Sequence, residues 1–133
     1  MTTGLAFHHA AMSVADIEAT ASWYVEVLGF AVESRFIIPD GTKAMFLERE
    51  GLRIELFQVE NPKPMPEERL SPRADLRTLG NKHPAFTVAD YDAFRDDLIA
   101  RGIPLILEVG SGTNRGLFIH DSAGNVLEFL SRP

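Results

Sequence analysis

Two histidines and two glutamates stand in repeated surroundings along the chain. His9 opens the segment His-Ala-Ala-Met-Ser-Val-Ala-Asp, and His83, 74 residues further on, opens the similar segment His-Pro-Ala-Phe-Thr-Val-Ala-Asp. Glu55 lies in Ile-Glu-Leu-Phe, and Glu128, 73 residues further on, lies in Leu-Glu-Phe-Leu. Two imidazoles and two carboxylates suit a divalent metal such as Zn, Ni, Co, Mn or Fe. A single His or Glu is often a solvated surface residue, but the shared offset favours one metal site for all four.

A third marker indicates that a whole structural module is duplicated. Gly29, in Leu-Gly-Phe, corresponds to Gly102, in Arg-Gly-Ile, again 73 residues further on. Three markers whose offsets agree to within one residue predict two copies of the same unit. Each copy has the pattern of one strand, one helix and three strands, so the predicted fold is α+β with two tandem βαβββ modules. We predict a single domain over residues 1–133, with module one at about 5–59, a linker at about 60–81 and module two at about 82–131.

The predicted elements follow from hydrophobic spacing, helix caps and turn residues. Asp16 and Asp90 stand at helix N-cap positions, and Gly29 and Gly102 stand where a left-handed residue ends each helix. The predicted hairpin turns are Glu50-Gly51 and Ser122–Asn125. The predicted helices are Ile17–Leu28 and Tyr91–Arg101, and the predicted strands are about Ala6–Val14, Phe30–Ile38, Lys43–Glu48, Arg53–Gln58, Lys82–Val88, Pro104–Val109, Gly116–His120 and Asn125–Leu130.

The alternation of side chains along the strands leaves space around the proposed ligands. Small residues share the predicted face of each histidine, namely Ala11 and Ser13 in the first module and Ala85 and Thr87 in the second. Glu55 and Glu128 lie between apolar neighbours, so each carboxylate must face solvent or have a partner. If a pseudo-twofold axis relates the modules, the equivalent strands bring the four side chains to one point.

Other polar residues receive weaker interpretations. His8 is expected on the opposite strand face from the ligand that follows it, as a packed or hydrogen-bonded histidine. His120 is expected to be exposed beside a turn. Arg53 shares a face with the first glutamate, and it either lines a cavity or lies at the rim of the core. Arg115, in a predicted loop, either holds an anionic group of a substrate or is an ordinary solvated arginine.

The composition narrows the classes of function. The chain has 133 residues, no Cys and a formal net charge of -6. Without thiolates, any metal is held by nitrogen and oxygen. The negative charge disfavours nucleic acid as a partner, and no apolar run is long enough to cross a membrane. The N-terminal Met-Thr-Thr-Gly-Leu-Ala lacks the basic start of a signal peptide, so we expect a cytoplasmic protein. The partner that we expect is a small-molecule substrate.

The repeated motifs resemble those of the vicinal oxygen chelate superfamily, which includes glyoxalase I, methylmalonyl-CoA epimerase, extradiol dioxygenases, and fosfomycin- and bleomycin-resistance proteins. The resemblance implies paired βαβββ modules that curve into a half-barrel around a divalent metal, commonly in a homodimer. Within this superfamily, the ligand order His, Glu, His, Glu resembles that of glyoxalase I. The motifs that carry the resemblance are His9 with Val14–Asp16, Trp23–Phe30, Arg53–Leu56, His83 with Val88 and Asp90, and Phe118–Glu128.

The resemblance implies a metal-dependent lyase or isomerase that works through an enediolate. In that chemistry Glu128, with Glu55 as its counterpart, moves a proton to or from the carbon next to a carbonyl group. One alternative is an Fe or Mn extradiol-type dioxygenase that uses His9, His83 and Glu128. Another is a metal-free ligand-binding or antibiotic-resistance protein of the same fold.

Two positions depart from the glyoxalase I pattern. That enzyme usually has an arginine four residues after the first histidine and an asparagine four residues after the first glutamate. Here these positions are Ser13 and Val59. Because both departures put glutathione binding in doubt, the expected substrate is a small 2-oxo or 2-hydroxy carbonyl compound instead of a glutathione conjugate.

Overall fold

The computed structural model describes residues 3–132. Met1 and Thr2, which begin the N-terminal sequence from which a cytoplasmic protein is predicted, and Pro133 lie outside the described residues. The described chain forms two helices, eight strands and two short 3-10 helices. In chain order these are β1 (Ala10–Ser13), α1 (Ile17–Leu28), β2 (Ala31–Ile37), β3 (Lys43–Arg49), β4 (Leu52–Gln58), the 3-10 helices Glu67–Leu70 and Ala74–Arg77, β5 (Ala85–Val88), α2 (Tyr91–Ala100), β6 (Leu107–Ser111), β7 (Asn114–His120) and β8 (Val126–Ser131).

Two four-stranded mixed sheets confirm the predicted α+β fold with tandem βαβββ modules. The strand order is β1-β4-β3-β2 in the first sheet and β5-β8-β7-β6 in the second. In each sheet the module's first strand in chain order pairs in parallel with its fourth, so β1 pairs with β4 and β5 with β8. The other neighbouring strands are antiparallel. The contacts divide the chain into two compact units, the first ending at Lys63 and the second beginning at Pro64.

The helix boundaries lie close to the predicted ones because the capping residues act as expected. Asp16 accepts a hydrogen bond from the amide of Ala19, and Asp90 accepts one from the amide of Ala93, both at 3.0 Å. These bonds satisfy amides that have no partner within the helix. Gly29 follows α1 with a φ of 71°, a left-handed conformation that glycine adopts without steric cost.

Each helix packs on one face of the sheet in its own unit. In the first unit Tyr24 is fully buried and its hydroxyl lies 3.4 Å from the sulfur of Met12 in β1. In the second unit the rings of Phe94 in α2 and Phe129 in β8 are 4.6 Å apart. Since neighbouring side chains on a strand point to opposite faces, Glu128 faces away from α2 while Phe129 packs under it.

The first strand of each module is shorter than predicted. β1 begins at Ala10, not Ala6, and pairs with β4 from Ile54 onward. β5 begins at Ala85, not Lys82, because Pro84 has no N–H to donate, although its carbonyl accepts from the Glu128 amide at 3.1 Å.

The hairpin between β6 and β7 also differs from the prediction. β6 covers Leu107–Ser111 instead of Pro104–Val109, and β7 begins at Asn114 instead of Gly116. The expected loop around residues 111–116 is therefore mostly strand, and Gly112, with a φ of 61°, allows the tight turn. Arg115 consequently lies in β7.

The segment between the modules is ordered by hydrogen bonds. The Lys82 ammonium group donates to the carbonyl oxygens of Asp75 and Thr78, and it lies 3.3 Å from the carboxylate of Asp75, which is buried. His120 Nε2 lies 2.7 Å from the carbonyl oxygen of Leu70. These bonds hold both 3-10 helices within the second unit. Within residues 3–132, neither helix is long and apolar enough to span a membrane.

Candidate metal centre

His9 and Glu55 form a close pair in the first unit. In the parallel pairing of β1 with β4, Ala11 lies opposite Glu55, and His9 is two residues earlier on the same side. The Nε2 atom of His9 lies 3.1 Å from Oε1 of Glu55, and the two side chains are 30% and 11% exposed. Glu55 lies between the apolar residues Ile54 and Leu56 in the sheet. Its buried carboxylate therefore has in His9 the partner that burial requires.

His83 and Glu128 form the same pair in the second unit. Ala85 lies opposite Glu128 in the parallel pairing of β5 with β8, and His83 is again two residues earlier. The Nε2 atom of His83 lies 3.0 Å from Oε1 of Glu128, and the side chains are 19% and 18% exposed. The two units thus build their His–Glu pairs from the same strands in the same register.

The distances within the pairs suit two roles. A hydrogen bond between an imidazole N–H and a carboxylate has this length. Two donor atoms that each lie about 2.1 Å from one ion, and subtend a right angle at it, are also about 3.0 Å apart. Neutral imidazole nitrogen and carboxylate oxygen are ligands that Zn, Ni, Co, Mn and Fe accept. Among residues 3–132, no group of three or more His, Asp or Glu side chains lies close enough together to hold a metal ion, so each unit presents its donors as a pair.

A phenylalanine beside each pair was missed by the sequence analysis. Phe46 lies opposite Glu55 in the β3–β4 pairing, and its ring is 5.1 Å from that of His9 at an interplanar angle of 78°. Phe118 lies opposite Glu128 in the β7–β8 pairing, and its ring is 5.1 Å from that of His83 at 80°. The signal was present in the sequence, because Ala-Met-Phe-Leu at 44–47 returns as Gly-Leu-Phe-Ile at 116–119.

Gly116 lies beside Leu130 and Glu128 on the strand face that carries the second His–Glu pair. A Cβ atom at this position would lie 3.0 Å from Cδ2 of Leu130 and 3.5 Å from Oε2 of Glu128. The first contact is tighter than side chains normally tolerate, so position 116 requires glycine unless its neighbours move. The equivalent residue of the first module is Ala44, which the strand accommodates with its methyl group buried.

His8 does not lie on the opposite face from His9, and that prediction was wrong. The Nδ1 atoms of the two rings are 2.7 Å apart, and the His8 ring is 5.8 Å from that of Phe46. The strict alternation of a strand does not apply here, since β1 begins only at Ala10. The predicted hydrogen bonding of His8 is confirmed, and its side chain is exposed.

Arg53 lies on the same strand face as Glu55, where it is held by an ion pair. Its Nε atom donates to both carboxylate oxygens of Glu33, at 2.9 and 3.2 Å. Glu33 occupies the irregular position between Val32 and Ser34, where the pairing of β2 with β3 shifts register. A bulge of this kind re-aims a side chain, which explains how a β2 residue reaches Arg53.

Arg115 lies on the face of its sheet that carries α2. Its guanidinium group stacks 4.4 Å from the centre of the Tyr91 ring, and Nη1 donates to Asp92 at 2.8 Å. This hydrogen bond lowers the pKa of Asp92 below its usual range. Phe118 and Glu128 face the other way, so Arg115 is neither a solvated loop residue nor a substrate contact beside the pair. His120 is half-buried by its bond to Leu70, not freely exposed as expected.

A cavity of about 320 Å³ opens elsewhere in the first unit. It lies on the α1 side of the sheet, near the start of the helix, where Glu18 pairs with Arg35. That hydrogen bond is the main cause of a lowered pKa of Glu18. None of the four predicted ligands lines the cavity. Its lining residues are Ile17, Glu18, Arg35, Phe36, Ile37, Lys43, Ala44 and Met45.

Comparison with known proteins identifies the family of the chain. The model of the Glyoxalase/Bleomycin resistance protein/Dioxygenase superfamily matches residues 6–129. No curated protein sequence matches the chain. A glyoxalase family protein from Enterococcus faecalis superposes with a TM-score of 0.78 at 23% identity, and the match covers 98% of this chain and 100% of that one.

Two further structures carry more specific descriptions. Lactoylglutathione lyase from Agrobacterium tumefaciens superposes with a TM-score of 0.66 at 20% identity, covering 98% of this chain and 96% of that one. A mutant of the fosfomycin resistance protein FosX from Listeria monocytogenes, complexed with Mn(II) and 1S,2S-dihydroxypropylphosphonic acid, gives 0.68 at 16% identity, covering 100% of this chain and 95% of that one. At these identities the likeness is one of fold.

Proposed function

Because the chain belongs to the Glyoxalase/Bleomycin resistance protein/Dioxygenase superfamily, we propose that it is a divalent-metal-dependent lyase or isomerase of the glyoxalase I type. Its substrate is a small carbonyl compound with two neighbouring oxygen atoms, and its reaction passes through an enediolate. The observation that carries the proposal is the duplicated His–Glu pair. Both modules build it from the same strands, in the same register, with donor atoms 3.0 to 3.1 Å apart.

The ion would be held by His9, Glu55, His83 and Glu128. Nickel, zinc, cobalt, manganese and iron all suit this set of nitrogen and oxygen donors. When bound, such an ion polarises the carbonyl group of a substrate and stabilises the negative charge of the enediolate. The buried position of Glu55, paired with His9 instead of pointing to solvent, supports a four-ligand centre over one in which Glu55 has no part.

Glu128 is the residue that we assign to proton transfer, with Glu55 as its counterpart. A carboxylate that accepts a proton from the carbon beside the carbonyl, and returns it to the neighbouring carbon, isomerises the substrate. Glu128 is about four-fifths buried, and Phe118 lies beside it across the ladder. A site partly shielded from water strengthens the interactions of this carboxylate with developing charge. Proton transfer on one face of the enediolate gives isomerisation, and proton transfer on both faces gives epimerisation.

Elemental analysis of protein purified without chelator tests the proposal most directly. We expect one divalent ion for each set of four ligands, and a higher melting temperature of metal-free protein when Ni, Co, Zn, Mn or Fe is added. Protein that holds no metal, and whose melting temperature none of these ions changes, would contradict the proposal and leave the metal-free binding function. Oxygen consumption with catechol-type substrates would instead support the extradiol-type dioxygenase.

The test of activity compares substrates that differ in the glutathione portion. We expect turnover of small 2-oxo or 2-hydroxy carbonyl compounds, with little gain when the same carbonyl is presented as a glutathione hemithioacetal. Ser13 and Val59 stand where glyoxalase I commonly has an arginine and an asparagine, and these departures disfavour glutathione conjugates. A strong preference for the hemithioacetal would keep the enzyme class and overturn the substrate assignment.

A homodimer is a further part of the proposal, since the resemblance to this superfamily implies one. The mass in solution measures it. If two chains share each site, mixing inactive His9→Ala protein with inactive Glu128→Gln protein restores part of the activity. If each chain holds its own site, the mixture stays inactive.

A further inference from the structure

We infer that His8 is a positioning residue that fixes the ring of His9 as a metal ligand through Nε2. The inference rests on the proposed function, because it takes His9 to be a ligand. Its basis is the contact of 2.7 Å between the Nδ1 atoms of the two adjacent imidazoles. Neither the family comparison nor the repeat assigns a role to position 8.

The contact constrains where the protons lie. Two Nδ1–H groups repel each other, and two bare nitrogens form no bond, so one ring donates and the other accepts. If His9 carries its proton on Nδ1, its Nε2 lone pair is free for an ion, and His8 accepts at its own Nδ1. The reverse arrangement puts the proton of His9 on Nε2, which lies 3.1 Å from Oε1 of Glu55.

A His9 ring that holds an ion through Nε2 therefore requires the first arrangement, in which its Nδ1–H donates to Nδ1 of His8. Metal-bound histidines generally donate their other ring N–H to such an acceptor, which holds the tautomer and the ring plane.

Phe46 holds the two imidazoles in this arrangement. Its ring lies 5.1 Å from that of His9 and 5.8 Å from that of His8, steeply inclined to both. The two imidazole rings are 4.9 Å apart at an interplanar angle of 82°. A third ring in contact with both leaves less space for either imidazole to turn. The orientation of His9 thus depends on two side chains besides its partner Glu55.

The second module has no equivalent of this pair of adjacent imidazoles. The position equivalent to His8 is Lys82, whose ammonium group bonds to Asp75 and Thr78 in the segment between the modules. Lys82 has no acceptor to offer to His83, because an ammonium group only donates. The duplicated site is therefore asymmetric in what surrounds its histidines, and His8 serves the first module alone.

The test uses full-length protein with three variants. His8→Ala removes the acceptor, His8→Asn supplies an amide oxygen in its place, and His120→Ala removes a half-buried imidazole that bonds to Leu70 instead of a proposed ligand. Zinc affinity is measured by competition with a fluorescent chelator. We expect His8→Ala to weaken it by about 10- to 100-fold, the usual effect of losing such a partner. His8→Asn should restore most of the affinity, and His120→Ala should match the wild type.

Side-chain nitrogen spectra give a readout that a structural role would not change. Long-range ¹H–¹⁵N spectra of zinc-loaded protein should show His9 protonated on Nδ1, with this proton exchanging slowly with water in the wild type and faster in the His8→Ala variant, which has lost the acceptor. Equal zinc affinity of His8→Ala and wild type, or an unprotonated Nδ1 in the loaded wild type, would overturn the inference while leaving the metal site intact. Wild-type protein that binds no zinc or other divalent ion would overturn the proposed function, and this inference with it.

Discussion

Phe118 lies directly opposite Glu128 in the pairing of β7 with β8, and its ring is 5.1 Å from that of His83. The first unit repeats this relationship with different residues, so each His–Glu pair has an aromatic ring on its strand neighbour. Phe118 is buried in its unit. The ring thus shields one side of the pair from water, which strengthens the attraction between an imidazole and a carboxylate, or between either and an ion.

Replacing Phe118 with Leu should weaken metal binding several-fold and lower the free energy of unfolding by about 1 to 2 kcal/mol. The smaller side chain keeps the volume apolar but opens the flank of the His83–Glu128 pair. Zinc competition and urea unfolding measure the two effects. The matched control is Phe94→Leu, which removes a ring from the helix side of the same sheet and should cost stability without changing metal affinity. Equal metal affinity of the two variants would show that the Phe118 ring is only a core residue.

Gly116→Ala should disturb the surroundings of Glu128 through Leu130, two residues further along β8. The added methyl group meets Cδ2 of Leu130 at 3.0 Å, so the Leu130 side chain must move, whereas its distance of 3.5 Å from the Glu128 carboxylate is an ordinary contact. Overpacking of this kind costs about 1 to 3 kcal/mol, and we expect metal affinity to fall as well. Ala44→Gly, at the equivalent position of the first module, should lose stability with little effect on the metal. A Gly116→Ala protein with wild-type affinity would contradict this account.

Glu128→Gln should reduce turnover by at least about 100-fold while leaving the fold intact, since an amide of the same shape accepts hydrogen bonds but does not act as a base. The turnover number under saturating metal and the far-ultraviolet circular dichroism spectrum measure the two effects. Glu55→Gln is the matched variant in the first module. If it loses as much turnover as Glu128→Gln, both carboxylates transfer protons. If only Glu55→Gln is inactive, the roles that we assign are reversed.

Asp75→Asn should loosen the segment that joins the modules. The buried carboxylate lies 3.3 Å from the ammonium group of Lys82 and 3.5 Å from the guanidinium group of Arg69. A hydrogen bond to a charged group contributes about 2 kcal/mol, so the 3-10 helices should exchange their amide hydrogens faster in the variant. Hydrogen exchange read by mass spectrometry measures this. Amides of β3 and β4 in the first unit provide the internal control and should keep their protection.

Stability should fall in acid partly through Glu108. The hydrogen bond from Arg95, at 2.6 Å, lowers the pKa of this carboxyl below its ordinary value of 4.5, against a smaller opposing effect of burial. A lowered pKa in the folded state adds stability above the unfolded pKa, and that stability is lost as the pH falls through the folded pKa. We expect the free energy of unfolding of Glu108→Gln to depend less on pH between about pH 5 and pH 3 than that of the wild type.

The arginine provides the matched control for this pH effect. Arg95→Gln removes the partner instead of the carboxyl group, so it should flatten the same part of the pH profile. The Arg95 and Glu108 side chains are 35% and 45% exposed, and the effect is therefore small because solvent screens the pair. A steeper acid transition in either variant would show that another group governs the profile.

The repeat could be recognised in the sequence because it consists of residue types that occur in few structural roles. Aspartates at helix N-caps and glycines after helix C-termini are set by local backbone chemistry, and both were predicted at the positions where they are found. The segments around His9 and His83, and around Glu55 and Glu128, revealed the duplication, and the α+β fold with tandem βαβββ modules followed from it. These features depend on neighbours within a few residues, so sequence alone determined them.

The surroundings of the pairs depended on register and on where strands begin. Phe46 and Phe118 lie beside the histidines because of cross-strand pairing, which no short segment specifies. The His8 ring contacts that of His9 outside the regular alternation of β1, which starts two residues later than His8. The ammonium group of Lys82 instead donates to the 3-10 helix that precedes it in the chain. Only the tertiary structure decided these contacts, since strand register, strand ends and the fold of the segment between the modules all lie beyond what a short motif specifies.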